Sequence, residues 1–151
     1  MSKTVLITGA TSGIGEATAR KFAEEGFNLV ITGRRAERLG VLAGKLTKEH
    51  GVKVLTLNFD IRKRSEVENA IGSLTAEWRT IDVLVNNAGL AAGLDPVQQG
   101  SIDDWEQMID TNIKGLLYVT RLVAPMMIEK RNGQIINIGS IAGREVYEGG
   151  T

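Results

Sequence analysis

The stretch from Thr4 to Gly15, T-V-L-I-T-G-A-T-S-G-I-G, limits what this chain can fold into more than any other. Val5, Leu6 and Ile7 form a short continuous apolar run, the pattern of a strand buried on both faces. Gly9, Gly13 and Gly15 follow, and Ala17, Ala19, Phe22 and Ala23 then mark an amphipathic helix. A strand, a glycine turn and a helix make a corner where the main chain can lie close to a phosphate, because glycine carries no Cβ. The helix N-terminus adds unpaired N–H groups and the positive end of its dipole. Thr11 and Ser12 bring hydroxyl donors to the rim, and Ile14 sits between the last two glycines. The spacing G-x-x-x-G-x-G is a variant of the general dinucleotide fingerprint G-x-G-x-x-G. No Lys-Ser or Lys-Thr follows, so this is not a P-loop. The plain alternative is a glycine-rich turn that only packs a helix on a sheet.

The rest of the chain bears on that choice. Its 151 residues fit one domain, residues 1–151, with 42% apolar residues and 18 basic against 18 acidic side chains. Balanced charge argues against a nucleic-acid or membrane-surface partner held by bulk charge. With no cysteine and His50 as the one histidine, a disulfide framework and a thiolate or histidine metal cluster are excluded. The chain enters a strand almost at once, and no apolar run has the length of a membrane span, so a cytoplasmic location is expected.

Strand and helix patterns alternate. Strands are expected at Lys3–Thr8, Asn28–Thr32, Lys53–Asn58, Ile81–Asn86 and Gln134–Ile138. Helices are expected at Gly13–Glu25 and Arg35–His50, followed by a third capped by Ser65 with Glu68 completing a capping box. A long helix starts at a Ser101 cap and runs to about Lys130, with a break near Asp110–Asn112. Such alternation implies an α/β fold, a doubly wound Rossmann-type parallel sheet of order 3-2-1-4-5. Small, polar and charged residues gather at the carboxyl ends of all five strands, where open α/β sheets bind ligands.

After the second strand stands Gly33, where an NAD site usually holds an acidic residue, and Arg34 and Arg35 follow. Guanidinium groups suit a 2′-phosphate by bidentate pairing, which points to NADP as the cofactor. An ordinary basic helix start is the other reading, weakened because arginine opposes the dipole there. Asp60 could accept from an adenine amino group, with Ile61 covering the ring; a turn or cap role is equally open. Asn87, Ala88 and Gly89 follow the fourth strand, where small residues let a sugar and nicotinamide lie against the backbone.

T-G-A-T-S-G-I-G at Thr8–Gly15, N-N-A-G at Asn86–Gly89, Asn112 within T-N-I-K-G and I-I-N-I-G-S at Ile135–Ser140 resemble the short-chain dehydrogenase/reductase family in order and spacing. The stretches N-N-A-G-L-A-A-G-L-D-P and D-D-W-E-Q-M-I-D-T-N are similar to its NADP-dependent 3-hydroxy acid dehydrogenases, which act on serine, allo-threonine and related acids. The resemblance implies an oxidoreductase that passes a hydride between NADP and a small hydroxy acid, alcohol or carbonyl. It implies that Ser140 hydrogen-bonds the substrate oxygen and that Asn112 holds a water of a proton relay. It also implies a homo-oligomer, with an apolar face on the long helix near Ser101–Lys130.

The family's acid/base tyrosine, with lysine four residues later, has no counterpart here. Four residues after Tyr147 stands Thr151, and Tyr118 lies among Leu116, Leu117 and Val119 as a packing residue. A tyrosine needs a neighbouring cation to ionise usefully near neutral pH. The expectation is therefore the N-terminal part of a longer enzyme, with a fold incomplete on its C-terminal side, an exposed fifth strand and no activity alone. A noncatalytic NADP-binding domain is the alternative.

Overall fold

The computed structural model describes residues 2–145. The apolar runs become β1 (Thr4–Ile7), β2 (Asn28–Gly33), β3 (Val54–Asn58), β4 (Val83–Asn86) and β5 (Gln134–Asn137). Between them lie α1 (Gly13–Glu24), α2 (Ala36–His50), α3 (Arg64–Gly72), α4 (Ile102–Met108) and α5 (Leu116–Glu129). All strand pairs are parallel, in the order β3-β2-β1-β4-β5 expected from the alternation.

Side chains alternate across each strand, which gives the sheet two apolar faces. Val5, Ile7, Leu29, Ile31, Val83 and Val85 pack with Ala19 and Ala23 of α1 and with Leu39, Leu42 and Leu46 of α2. Leu6, Val30, Leu57 and Leu84 pack with Val67 and Ile71 of α3 and with Val119, Val123 and Met127 of α5. The central strands β1 and β4 are buried throughout. Tyr118 packs against the second cluster, as its apolar neighbours suggested.

Two local expectations change. The third helix begins at Arg64, with Lys63 as its N-cap, so Ser65 lies inside the first turn and forms no capping box. Glu68 pairs with Arg64 at 2.7 Å instead, one turn along the same helix. Glu66 reaches back to accept from the Asp60 backbone N–H at 2.8 Å. The break in the long helix is a π-helical segment, Ile109–Gly115, between α4 and α5. Ser101 does cap α4, accepting from the Asp104 N–H at 3.3 Å. Gly115 in the π segment sits on Ile61, whose Cγ1 would be 2.9 Å from a Cβ placed there.

Candidate functional site

The carboxyl ends of the five strands open into one cleft of about 1130 Å³. Gly9, Thr11, Ser12, Ile14, Arg34, Arg35, Asp60, Ile61, Asn87, Ala88, Gly89, Asn112 and Ser140 all line it, so the sequence-proposed residues converge. Gly13 and Gly15 do not line it; they shape the turn behind it. Gly13 takes a φ of 58° and Gly9 one of 67°, both left-handed. A Cβ at Gly15 would lie 2.4 Å from the Gly9 carbonyl oxygen and from Asn87 Nδ2, and one at Gly9 would lie 2.8 Å from Ala88 Cα. The glycines therefore let the β1 and β4 ends pack directly on each other.

That packing is hydrogen-bonded. Thr8, left out of the sequence-proposed set, is 1% exposed, and its Oγ1 accepts from the backbone N–H groups of Asn87 and Ala88, both at 3.0 Å. The Asn87 side-chain amide donates to the Thr8 and Gly9 carbonyls at 2.9 and 3.1 Å. Asn87 thus holds the glycine turn from the β4 side. Its neighbour Asn86 donates to Asn137 Oδ1 and Thr120 Oγ1, each at 2.9 Å, tying β4 to β5 and α5. Thr8 and Asn137 were legible only as polar residues ending apolar strands.

At the start of α1, Ser12 is the N-cap but makes no side-chain cap bond. The first N–H groups of the helix are left as donors at the turn. The Arg35 guanidinium donates instead to the hydroxyls: to Thr11 Oγ1 from Nη2 at 2.6 Å and from Nε at 3.2 Å, and to Ser12 Oγ at 2.8 Å. A hydroxyl that accepts keeps its own proton to donate. The cradle therefore combines helix N–H groups, two hydroxyl donors and a fixed guanidinium, a donor set that fits a pyrophosphate. Next to it, Arg34 is exposed and makes no hydrogen bond or salt bridge among the described residues.

Asp60 is engaged by Arg62, missed in the sequence. Arg62 Nη2 and Nε reach its carboxylate at 2.6, 3.0 and 3.1 Å, and the Arg62 backbone N–H adds a bond at 3.1 Å. The side-chain bonds from Arg62 hold the Asp60 carboxyl below its usual pKa despite partial burial. In this geometry Asp60 anchors a turn on Arg62, and the residue lines the cleft. Ile61 lines it too but is only 8% exposed. Asn112 forms a paired contact with Leu90, accepting from its N–H at 2.9 Å and donating to its carbonyl at 2.8 Å. That contact explains an asparagine inside a helical segment: it pins the loop after β4. One N–H and one lone pair of the amide remain for another partner. Ser140 follows β5, and its Oγ accepts from the Ala142 N–H at 3.1 Å, leaving its proton free. Tyr147 lies outside the described residues.

A parallel sheet of this order, with a glycine turn and an open helix N-terminus at its switch point, defines a dinucleotide-binding fold. The chain belongs to the short chain dehydrogenase family, whose model matches residues 3–151. It is 56% identical over 146 residues to an NADP-dependent 3-hydroxy acid dehydrogenase of Salmonella typhi, covering 97% of this chain and 57% of that protein. It is 48% identical to a serine 3-dehydrogenase of Agrobacterium fabrum, covering 99% of this chain and 58% of that one. The closed form of a serine dehydrogenase complexed with NADP+ superposes with a TM-score of 0.89 at 50% identity, covering 97% of this chain and 58% of that chain. The chain thus spans somewhat more than half the length of these relatives.

Proposed function

We propose that this chain forms the cofactor-binding part of an NADP-dependent oxidoreductase acting on a short hydroxy acid or another small alcohol or carbonyl. The observation that carries the reading is the charge at the end of β2. Arg34 and Arg35 after β2 and Arg62 after β3 line the cleft, and among the described residues that line it Asp60 is the one acid. Gly33 stands where an NAD site would place its carboxylate. The NADP named for the relatives supports the same cofactor.

In this reading the α1 N-terminus with Thr11 and Ser12 holds the pyrophosphate, and Arg34 with Arg35 the 2′-phosphate. Gly9, Gly13 and Gly15 give the turn its shape, with Ile14 over it. Asp60 and Ile61 face the adenine end, and Asn87, Ala88 and Gly89 the nicotinamide end. When bound, the nicotinamide supplies or accepts the hydride. Ser140 directs its hydroxyl proton at the substrate oxygen, where charge develops. Asn112 fixes the loop beside it and contributes to proton movement. Serine and related 3-hydroxy acids are the substrates the relatives' names favour.

Ile109, Ile113 and Leu117, one turn apart, are 45%, 55% and 57% exposed. This apolar stripe supports a homo-oligomer paired along the long helix. Among the described residues no helix is long and apolar enough to cross a membrane. Balanced charge supports a small-molecule substrate, with no nucleic-acid or membrane partner, and a cytoplasmic enzyme.

A second reading, a noncatalytic NADP-binding domain or an inactive N-terminal fragment, rests on one sequence fact. Neither Tyr118 nor Tyr147 has lysine four residues later. The test is NADPH formation from serine or 3-hydroxybutyrate, by the complete protein and by the 151-residue chain alone. Turnover is expected from the first only, since losing an acid/base costs about 100- to 10,000-fold. NADP binding without turnover in the complete protein favours the binder. Turnover by the short chain makes Tyr147 the acid/base to mutate first.

A further inference from the structure

We infer that Thr11 is a specificity-determining residue, whose methyl group fills the space that a residue-33 side chain needs and so keeps the cleft from reading NAD. The inference rests on the NADP reading above and deepens it. An ideal Cβ at Gly33 would lie 2.8 Å from Thr11 Cγ2, closer than packed carbons approach, while Thr11 Oγ1 and Cβ would be at 3.6 and 3.8 Å, ordinary contacts. The conflict is with the one methyl.

Both partners are held by hydrogen bonds. Gly33 closes β2 in register with Asn58, and its carbonyl accepts from Asn58 Nδ2 at 2.8 Å and from the Phe59 N–H at 3.3 Å. Its φ is not left-handed, so space alone excludes a side chain there. Thr11 is 9% exposed, and its hydroxyl takes the two Arg35 bonds at 2.6 and 3.2 Å. Turning Thr11 to move its methyl would break them and release Arg35 from the phosphate cradle. A carboxylate at residue 33 is the group that hydrogen-bonds the ribose hydroxyl in NAD sites. In this chain an acid at residue 33 therefore displaces Arg35 before it can serve the ribose, and residues 11, 33 and 35 act as one unit. Serine at residue 11 removes the methyl and keeps the hydroxyl that Arg35 grips.

The experiment uses the complete protein as wild type, Thr11→Ser, Gly33→Asp and the Thr11→Ser/Gly33→Asp double variant. Dissociation constants for NADP+ and NAD+ are measured by direct titration, and melting temperatures without cofactor. Thr11→Ser is the reference against which the double variant is read. Gly33→Asp alone melts lower and binds both cofactors poorly. The double variant melts higher than Gly33→Asp and binds NAD+ at least about tenfold more tightly, the coupling expected of residues in contact. If Gly33→Asp alone already binds NAD+ as tightly as the double variant, the inference is overturned. Should either Asp variant fail to fold, Gly33→Ala with and without Thr11→Ser puts the same contact to the test by melting alone. Rescue by serine supports the inference, and equal melting overturns it. A wild type that binds NAD+ and NADP+ equally removes the NADP reading instead, and the melting comparison still decides the Thr11 contact.

Discussion

Around the end of β1, the side chains of Thr8, Thr11, Ser12 and Asn87 all have partners inside the protein. Thr8 and Asn87 bind each other's backbone, Arg35 grips Thr11 and Ser12, and no Cβ fits at Gly9 or Gly15. Around the end of β5, in the same cleft, Ile135 and Ile138 are each 40% exposed and Ile141 77%. There Ser140 has one local bond, to Ala142. Both corners present hydroxyls, but only the first is held from several directions. The difference teaches that this chain builds the glycine corner rigidly from its own contacts, while the corner at Ser140, proposed to face substrate, is set by few contacts within the chain.

The largest effect that can break the comparison is chemical. Ser140→Ala in the complete protein should lower turnover by about 100- to 1,000-fold, the usual loss for one donor to a developing oxyanion. NADP affinity should stay near wild type. A loss confined to NADP binding would make Ser140 a cofactor or turn residue. Steady-state kinetics beside a cofactor titration separates the two.

Next comes a paired glycine test. Gly15→Ala puts a methyl 2.4 Å from the Gly9 carbonyl and should destabilise the fold by about 1–3 kcal/mol or more, as overpacking does. Gly139→Ala meets nothing within 4 Å and should be close to neutral. Equal melting of the two variants would mean that the β1 corner is no tighter than the β5 corner.

The smallest effect is electrostatic. Arg62 holds the Asp60 pKa below its unfolded value. The stabilisation is therefore present above the ordinary carboxylate pKa, about 3.9, and is lost as pH falls through the lower folded value. Asp60→Asn should reduce stability at neutral pH and flatten the acid limb of a stability-against-pH curve. An unchanged acid limb would show that the Arg62 bonds contribute nothing to folding.

Most of the fold was legible because it rests on patterns the chain states locally. Continuous apolar runs, glycines after β1 and polar strand ends require little beyond their neighbours to read. The π segment registered only as a break near Asp110–Asn112, since Gly115 seated on Ile61 is a contact between residues far apart in sequence. The Ser65 cap failed for a related reason: Lys63 and Arg64 carry no cap signature, yet the helix begins there, and Glu66 in its first turn accepts from the Asp60 N–H. In the site, residue types were readable and their partners were not. Asn87 read as a wall for the cofactor, and the structure shows its amide fastening the glycine turn. Arg35 read as a phosphate ligand, and the structure shows it ordering two hydroxyls. Thr8 acts through Asn87 and Ala88, far away in sequence, whereas Arg62 lies two residues from Asp60 and that local pair went unread.

The proposed role of the β2 corner is to hold a 2′-phosphate. The most direct measurement titrates NADP+ and NAD+ against the wild-type complete protein and its Arg34→Ala/Arg35→Ala variant. Two charge-assisted contacts should give the wild type a preference for NADP+ of at least about tenfold to hundredfold. The variant should lose that preference while still binding both cofactors weakly through the glycine cradle. Equal NADP+ affinity in the two proteins would contradict the account.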